Sequence, residues 1–177
     1  ESSQVKEGNQ FYKERKWDEA IDRYYNALEK GKHEDILHYD LGSAFYKKSD
    51  YDQSIEHLKK SLVSKDQKLQ SNAYYNLGNV FFQKGRSLEN QDINKAIDSL
   101  HQSLANYDQT LKISPKDEDA IYNRKVAEEE IKRLEQKKKE QQSSNSQKQD
   151  NKEDRKDKKD QQNQSSSNNQ NQDNQSS

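Results

Sequence analysis

Few residues in this chain have the types and spacing that catalysis or metal binding requires. Four histidines, His33, His38, His57 and His101, are the natural candidates. No two of them stand at i, i+4 with a carboxylate partner, the arrangement that brings two imidazoles and a base to one metal on a helix face. They read as surface or linker histidines. There is no cysteine, hence no disulfide, no thiolate site and no cysteine nucleophile. Neither a Gly-x-Ser-x-Gly elbow nor a phosphate-cradling glycine loop occurs. Pairs such as Glu56 with Lys60 and Glu129 with Arg133 fall at i, i+4, the pattern of a solvated helix face. The chain therefore reads as no enzyme, without metal or cofactor. What does recur is a phrase: Gly8-Asn9-Gln10-Phe11-Tyr12, Gly42-Ser43-Ala44-Phe45-Tyr46 and Gly78-Asn79-Val80-Phe81-Phe82. Its polar groups are amides and phenols, which recognise and do not cleave.

The phrase returns after 34 residues and then after 36. A helical phrase at that period implies stacked helical hairpins, each unable to bury its apolar face alone. The first hairpin is expected over about Ser3 to Lys30. Its second helix carries Ala20, Ile21, Tyr24, Ala27 and Leu28, an i, i+4, i+7, i+8 stripe. Asp18 suits the start of that helix and Gly31 its close. The second hairpin repeats the arrangement with Leu37, Leu41, Gly42 and Phe45, then Tyr51, Ile55, Leu58 and Leu62. The third begins near Ser71. Its first helix is expected to end at Gly85, followed by a loop from Arg86 to Asp92 and a long helix over about Asn94 to Ile113. Asp92 or Asn94 is placed to cap it. Ser114-Pro115-Lys116-Asp117 breaks the chain. A last helix from Glu118 carries Ala120, Ile121, Ala127, Ile131 and Leu134. Arg124 and Lys125 there replace the small and apolar residues of the earlier phrase, as a terminal helix with one wet face requires.

Every Ala, Val, Ile, Leu, Phe, Trp and Tyr lies at or before Leu134. Residues 135–177 cannot bury anything and are expected to form a disordered tail rich in Gln, Asn, Ser and Lys. Net charge is near zero in both parts, −1 for the whole. That argues against a nucleic-acid footprint, which needs a basic stripe, and against a polybasic membrane anchor. The longest apolar runs are too short to cross a membrane. The chain has no Met and begins at Glu1; a processed or truncated product is the reading, with a removed secretory signal and a periplasmic setting favoured over a cytoplasmic one.

These residues resemble the tetratricopeptide repeat. Gly8, Phe11, Ala20, Tyr24 and Ala27 fit the pattern of its first unit. Gly42, Phe45, Ser54, Leu58 and Ser61 fit the second. Gly78, Phe81, Ser103, Tyr107, Thr110 and Pro115 fit the third. The resemblance implies an all-α, right-handed α-solenoid of about three hairpins (1–34, 35–68 and 71–117, the last with a long second helix), a capping helix at 118–134 and the tail. A narrower resemblance, carried by Asn76-Leu77-Gly78-Asn79, Ser114-Pro115-Lys116-Asp117-Glu118-Asp119-Ala120 and the Gln-rich tail, is to the BatC-type proteins of bacterial aerotolerance (Bat) operons. It implies an exported adaptor working with membrane proteins that carry von Willebrand factor A domains.

In this fold the first helix of each hairpin lines a concave groove. The resemblance assigns to it Asn9, Tyr12, Tyr39, Ser43, Tyr46, Tyr75, Asn76, Asn79, Phe82 and Tyr122. Tyrosines interleaved with asparagines suit an extended peptide: the amide donates to and accepts from backbone, and the rings give rigid contact area. For Tyr12, Tyr46 and Phe82 the competing reading is packing between adjacent helices. Chaperone-binding members of the family clamp a C-terminal carboxylate with two Lys or Arg and two Asn, completed by a further cation. Those positions fall here on Val5, Asn9, Asp40, Asn72 and Asn76, so only Asn9 is kept and Asp40 repels the ligand. The expected function is a non-catalytic protein-binding scaffold in an envelope complex. The alternatives are a self-assembling structural protein, using the long helix and the tail, and a cytoplasmic co-chaperone-type adaptor. Partners are proteins, with no nucleic acid and no membrane insertion; the oligomeric state stays open.

Overall fold

The computed structural model describes the backbone of residues 3–170 and the side chains of residues 3–144. Seven helices and no strand occur among them: α1 (Ser3–Lys13), α2 (Trp17–Leu28), α3 (Glu34–Lys47), α4 (Tyr51–Ser61), α5 (Gln67–Leu88), α6 (Ile93–Ile113) and α7 (Glu118–Gln170). Consecutive helices from α1 to α6 pack on one another, and α3 also touches α5. The architecture is therefore an α-solenoid of three hairpins and a following helix. Contacts divide the chain into Glu1–Leu134 and Glu135–Ser177. In the second unit the backbone is helical as far as Gln170 and no described side chain is buried. Residues 171–177, the end of the expected tail, lie outside the described residues.

Acidic caps set the helix starts. Asp66 accepts from the amides of Lys68 (2.8 Å) and Leu69 (3.4 Å). Asp92 accepts from Asn94 (3.0 Å) and Lys95 (3.1 Å), and Asp117 from Ala120 (2.9 Å). Each satisfies donors that an α-helix leaves without a partner in its first turn. Gly31, at φ +62°, turns the chain out of α2.

The recurring glycines are where the two helices of a hairpin meet. A Cβ built on Gly8 would lie 2.6 Å from Cε1 of Tyr24; on Gly42, 2.6 Å from Cγ of Leu58; on Gly78, 2.4 Å from Cε1 of Tyr107. The partner is the same repeat position each time. Serines draw the helices together further: Ser54 Oγ donates to the Gly42 carbonyl and Ser103 Oγ to that of Gly78, both at 2.7 Å. Between hairpins, Asp18 pairs with Lys48 and Asp52 with Lys84. These pairs are exposed and contribute little to stability, on the order of 0–1 kcal/mol each.

The structure corrects the reading of the third hairpin. Gly85 does not end a helix; α5 continues to Leu88, and the loop shrinks to 89–92. Gly85 is buried, and a Cβ there would stand 3.0 Å from both the Ala96 carbonyl oxygen and Leu100 Cγ. It is a close-approach glycine inside a helix that the extra residues lengthen. Both helices of the hairpin are extended, α5 to 22 residues and α6 to 21, against 14 and 11 for α3 and α4. The added turns give α7 something to pack on. Ala96, Ile97 and Leu100 form one cluster with Ile131 and Leu134, and Arg133 pairs with Glu89 at 2.6 Å.

A second correction concerns His57. It is not a surface residue: it is 4 % exposed. Its Nε2 lies 2.9 Å from the Tyr25 hydroxyl, its Nδ1 lies 2.9 Å from Nδ1 of His38, and its ring stacks on Phe45. Two facing Nδ1 atoms at that distance share one proton, so the pair cannot hold both rings fully protonated. Burial, then the neighbouring His38 and Lys60, push His57 down to about 4 from the ordinary 6.5. The groups around it are Tyr25 on α2, His38 and Glu34 on α3, and Glu56 and Lys60 on α4.

Two outcomes follow from this packing. Gly78→Ala gains about 1 kcal/mol of helix propensity but overpacks against a tethered ring, at a cost of about 1–3 kcal/mol. A net loss of about 1 kcal/mol is expected, and a urea midpoint that stays or rises would show that Tyr107 yields freely. For His57 the unfolded chain binds the extra proton between pH 6.5 and about 4. Stability is therefore complete above pH 6.5 and falls as the solution is acidified, by about 2 kcal/mol at pH 4.5. His57→Gln is expected to flatten that slope; an identical slope in the variant would assign the acid sensitivity elsewhere.

Candidate partner-binding groove

The first helices α1, α3 and α5 stand side by side and share a cavity of about 520 Å³. From α1 come Asn9, Tyr12 and Lys13; from α3, Tyr39, Asp40, Ser43, Tyr46 and Lys47; from α5, Asn76 and Asn79. Tyr24 and Leu58 reach it from the second helices. A smaller cavity of about 140 Å³ adjoins it through Tyr46 and Asn79 and adds Phe82, Gln83, Tyr107, Asn123 and Val126. A third, of about 770 Å³, shares Asn9 and Asp40 and has an apolar floor of Val5, Ile36 and Leu37.

Of the residues expected in the groove, Asn9, Tyr12, Tyr39, Ser43, Tyr46, Asn76 and Asn79 line the first cavity and Phe82 the second. Tyr75 lines neither. It is half-buried, tilted against Tyr107 at 5.9 Å, and its hydroxyl accepts from Asn123 at 2.9 Å. Tyr122 is 67 % exposed and also lines neither. The next residue, Asn123, faces the wall instead: one residue on a helix turns the side chain by about 100°. Tyr12, Tyr46 and Phe82 pack between helices and also border the cavities. Tyr12 packs edge-on against Trp17 at 5.0 Å, Tyr46 joins the cluster around Leu58, and Phe82 joins the one around Leu100; all three still border cavities.

The organising contact runs through the packing glycines. Tyr24, seated on Gly8, donates its hydroxyl to Oδ1 of Asn9 at 2.9 Å. Tyr107, seated on Gly78, donates to Oδ1 of Asn79 at 2.7 Å. Asn123 adds a second bond to the same oxygen at 3.2 Å. Each amide oxygen is thereby committed, and the orientation of each carboxamide is fixed. Burial drives the Tyr107 hydroxyl well above the usual tyrosine range, so it stays a donor. Burial likewise raises Tyr12, Tyr39 and Tyr46. The middle hairpin lacks the arrangement. Leu58 has no hydroxyl, and Ser43 folds its Oγ onto the Tyr39 carbonyl at 2.9 Å. Sequence reasoning took Tyr24 and Tyr107 as packing residues only. The signal that marks their second role is a Gly-Asn dipeptide on the facing helix. Among the described residues no cluster of three or more His, Asp or Glu is placed to hold a metal ion.

A tetratricopeptide repeat family model matches residues 5–67 and 39–98. Heat shock protein STI1 of Saccharomyces cerevisiae is 30 % identical over 135 residues, 73 % of this chain and 20 % of that protein. The chain thus spans about a fifth of that relative's length. Among solved structures, the TPR2AB domain of yeast Sti1 in a pHSP90 complex is 26 % identical, with a TM-score of 0.60 over 75 % of this chain and 47 % of that one. The first TPR of Spaghetti (RPAP3) bound to the HSP90 peptide SRMEEVD is 18 % identical, with a TM-score of 0.59 over 72 % and 90 %.

Removing the Tyr107 hydroxyl separates its two roles. Tyr107→Phe is expected to cost about 1 kcal/mol in urea unfolding and to shift the Asn79 side-chain amide resonances while the backbone spectrum stays in place. Unmoved Asn79 amide signals would show that the hydroxyl does not orient that group.

Proposed function

This chain belongs to the tetratricopeptide repeat family, a non-catalytic interaction fold, and we propose that the wall of α1, α3 and α5 holds an extended segment of a partner protein. The observation that carries this reading is the pair of tyrosine-anchored asparagines, Asn9 and Asn79, bordering one 520 Å³ cavity. Packing alone has no need of amides held in a fixed orientation beside open space. Fixing them beforehand lowers the entropy lost when a ligand binds. The rings of Tyr12, Tyr39 and Tyr46 add contact area.

A second reading is a co-chaperone-type adaptor, favoured by the similarity to STI1. Against it stand the residues at the clamp positions, Val5, Asp40, Asn72 and Asn76, which supply no cation to a terminal carboxylate. An envelope setting with von Willebrand factor A domain partners and export after signal removal rest on the phrases around Gly78 and Pro115 and on the composition of the tail.

Panning a random heptapeptide phage library on the immobilised chain tests the groove. Enriched peptides are expected to bind in the micromolar range and to lose about tenfold or more with Tyr12→Ala combined with Asn79→Ala. Lys60→Ala, on α4, should leave them unaffected. Enriched peptides that ignore the double substitution would place the binding surface elsewhere. The peptide SRMEEVD, assayed in parallel, is expected to bind no better than a scrambled control; tight binding lost on amidation of its C-terminus would favour the co-chaperone reading.

A further inference from the structure

The polar groups of the groove are unequal in kind. Oδ1 of Asn9 is taken by Tyr24, and Oδ1 of Asn79 by Tyr107 and Asn123. Ser43 donates to its own helix and accepts from Asn76 at 3.4 Å. Beside the tyrosine hydroxyls, which donate and accept, and the Asn76 carboxamide, this wall carries an excess of donors: the Asn79 NH2 and the ammonium groups of Lys13 and Lys47. Asp40 is the one carboxylate lining the cavity.

Ligand backbones differ in what they ask of such a wall. An α-helical ligand has its carbonyls bonded internally and gives the donors nothing to meet. An extended strand offers carbonyls and N–H groups in equal number, and its N–H groups need acceptors, which are fewer on this wall than donors once the Asn9 and Asn79 oxygens are taken. A proline-rich segment offers carbonyls and almost no N–H groups. Its polyproline II conformation has no internal hydrogen bonds, keeps its carbonyls outward, and is formed before binding, so little entropy is lost on docking. Its flat rings stack on aromatic faces of the kind that Tyr12, Tyr39 and Tyr46 present.

Resting on the groove reading above, we infer that the groove takes a proline-rich segment in the polyproline II conformation, carbonyls toward Asn79 and the tyrosine hydroxyls. Residues 1–177 do not supply that segment: they contain a single proline, Pro115, in the turn before α7.

The lone tryptophan, Trp17, packs edge-on against Tyr12 at 5.0 Å and reports on groove occupancy by its fluorescence. The full chain is titrated with decaproline, with a Gly/Ser peptide of equal length, and with SRMEEVD. Decaproline is expected to bind about tenfold or more tightly than the Gly/Ser peptide. Asn79→Asp keeps an acceptor for the Tyr107 hydroxyl and replaces only the NH2, so it should weaken decaproline about tenfold with its urea midpoint near that of wild type. Tyr46→Phe, which keeps the ring, should lose less than Tyr46→Ala. Decaproline that binds no better than the Gly/Ser peptide, or that binds Asn79→Asp as well as wild type, overturns the inference. If it fails while SRMEEVD or a panned peptide binds in a manner lost on Asn79→Asp, the groove reading survives and the proline preference does not.

Discussion

The structure depends on one contact made three times: a helix carrying glycine pressed against the ring or branch of a residue on its hairpin partner. Tyr24 on Gly8, Leu58 on Gly42 and Tyr107 on Gly78 leave no room for a Cβ. That closeness has a second consequence where the partner is tyrosine. The phenol, laid across the glycine, extends far enough for its hydroxyl to meet the very next residue, Asn9 or Asn79. Glycine followed by asparagine is thus a single device. The first residue lets the ring in, and the second accepts its hydroxyl on an amide oxygen at the groove wall. Core packing and groove geometry meet in the same side chain, the ring serving the first and the hydroxyl the second.

The lengthened third hairpin obeys the same logic on a larger scale. A solenoid ends in an exposed apolar face unless something covers it. Here the covering helix α7 contributes Ala120, Ala127, Ile131 and Leu134 to the interior, a stretch longer than a hairpin of ordinary size could back. The extra turns of α5 and α6 supply that backing through Ala96, Ile97 and Leu100. Arg124, standing where the earlier repeats have an apolar residue, pairs with Asp108 at 2.5 Å and Glu128 at 2.6 Å. This suits a helix with no further hairpin beyond it in the unit.

The hairpin stack was legible in the sequence because its signal is local: small residue, two aromatics, and a return after one hairpin. Which residues of α1, α3 and α5 share one face was legible for the same reason, and all of those named for the groove on these helices except Tyr75 line the first two cavities. What escaped depends on partners distant in the chain. Gly85 looks like a helix end beside polar residues, and only Leu100, across the hairpin, shows that it is a point of approach. His57 looks like a surface histidine between Glu56 and Leu58, until Tyr25 and His38 close over it. Tyr122 and Asn123 differ by a single step around α7, and the rotation of that helix is set by Tyr75 and Asn79, far earlier in the sequence.

The middle hairpin shows why this groove has a direction of its own. With Leu58 in place of tyrosine, the position of Ser43 carries no anchored amide, and Asp40 brings a negative charge between Asn9 and Asn79. On the proposed reading, a bound segment meets the anchored asparagines near its two ends and rings and charge between them. Each amide contact is worth on the order of 0.5–1.5 kcal/mol net, and a micromolar ligand needs about 8 kcal/mol. The amides alone therefore cannot hold it. The larger share must come from surface buried against Tyr12, Tyr39 and Tyr46, with the amides fixing where along the wall the ligand sits. On that reading affinity comes from the rings and register from the asparagines, which stand where the Gly-Asn phrase occurs.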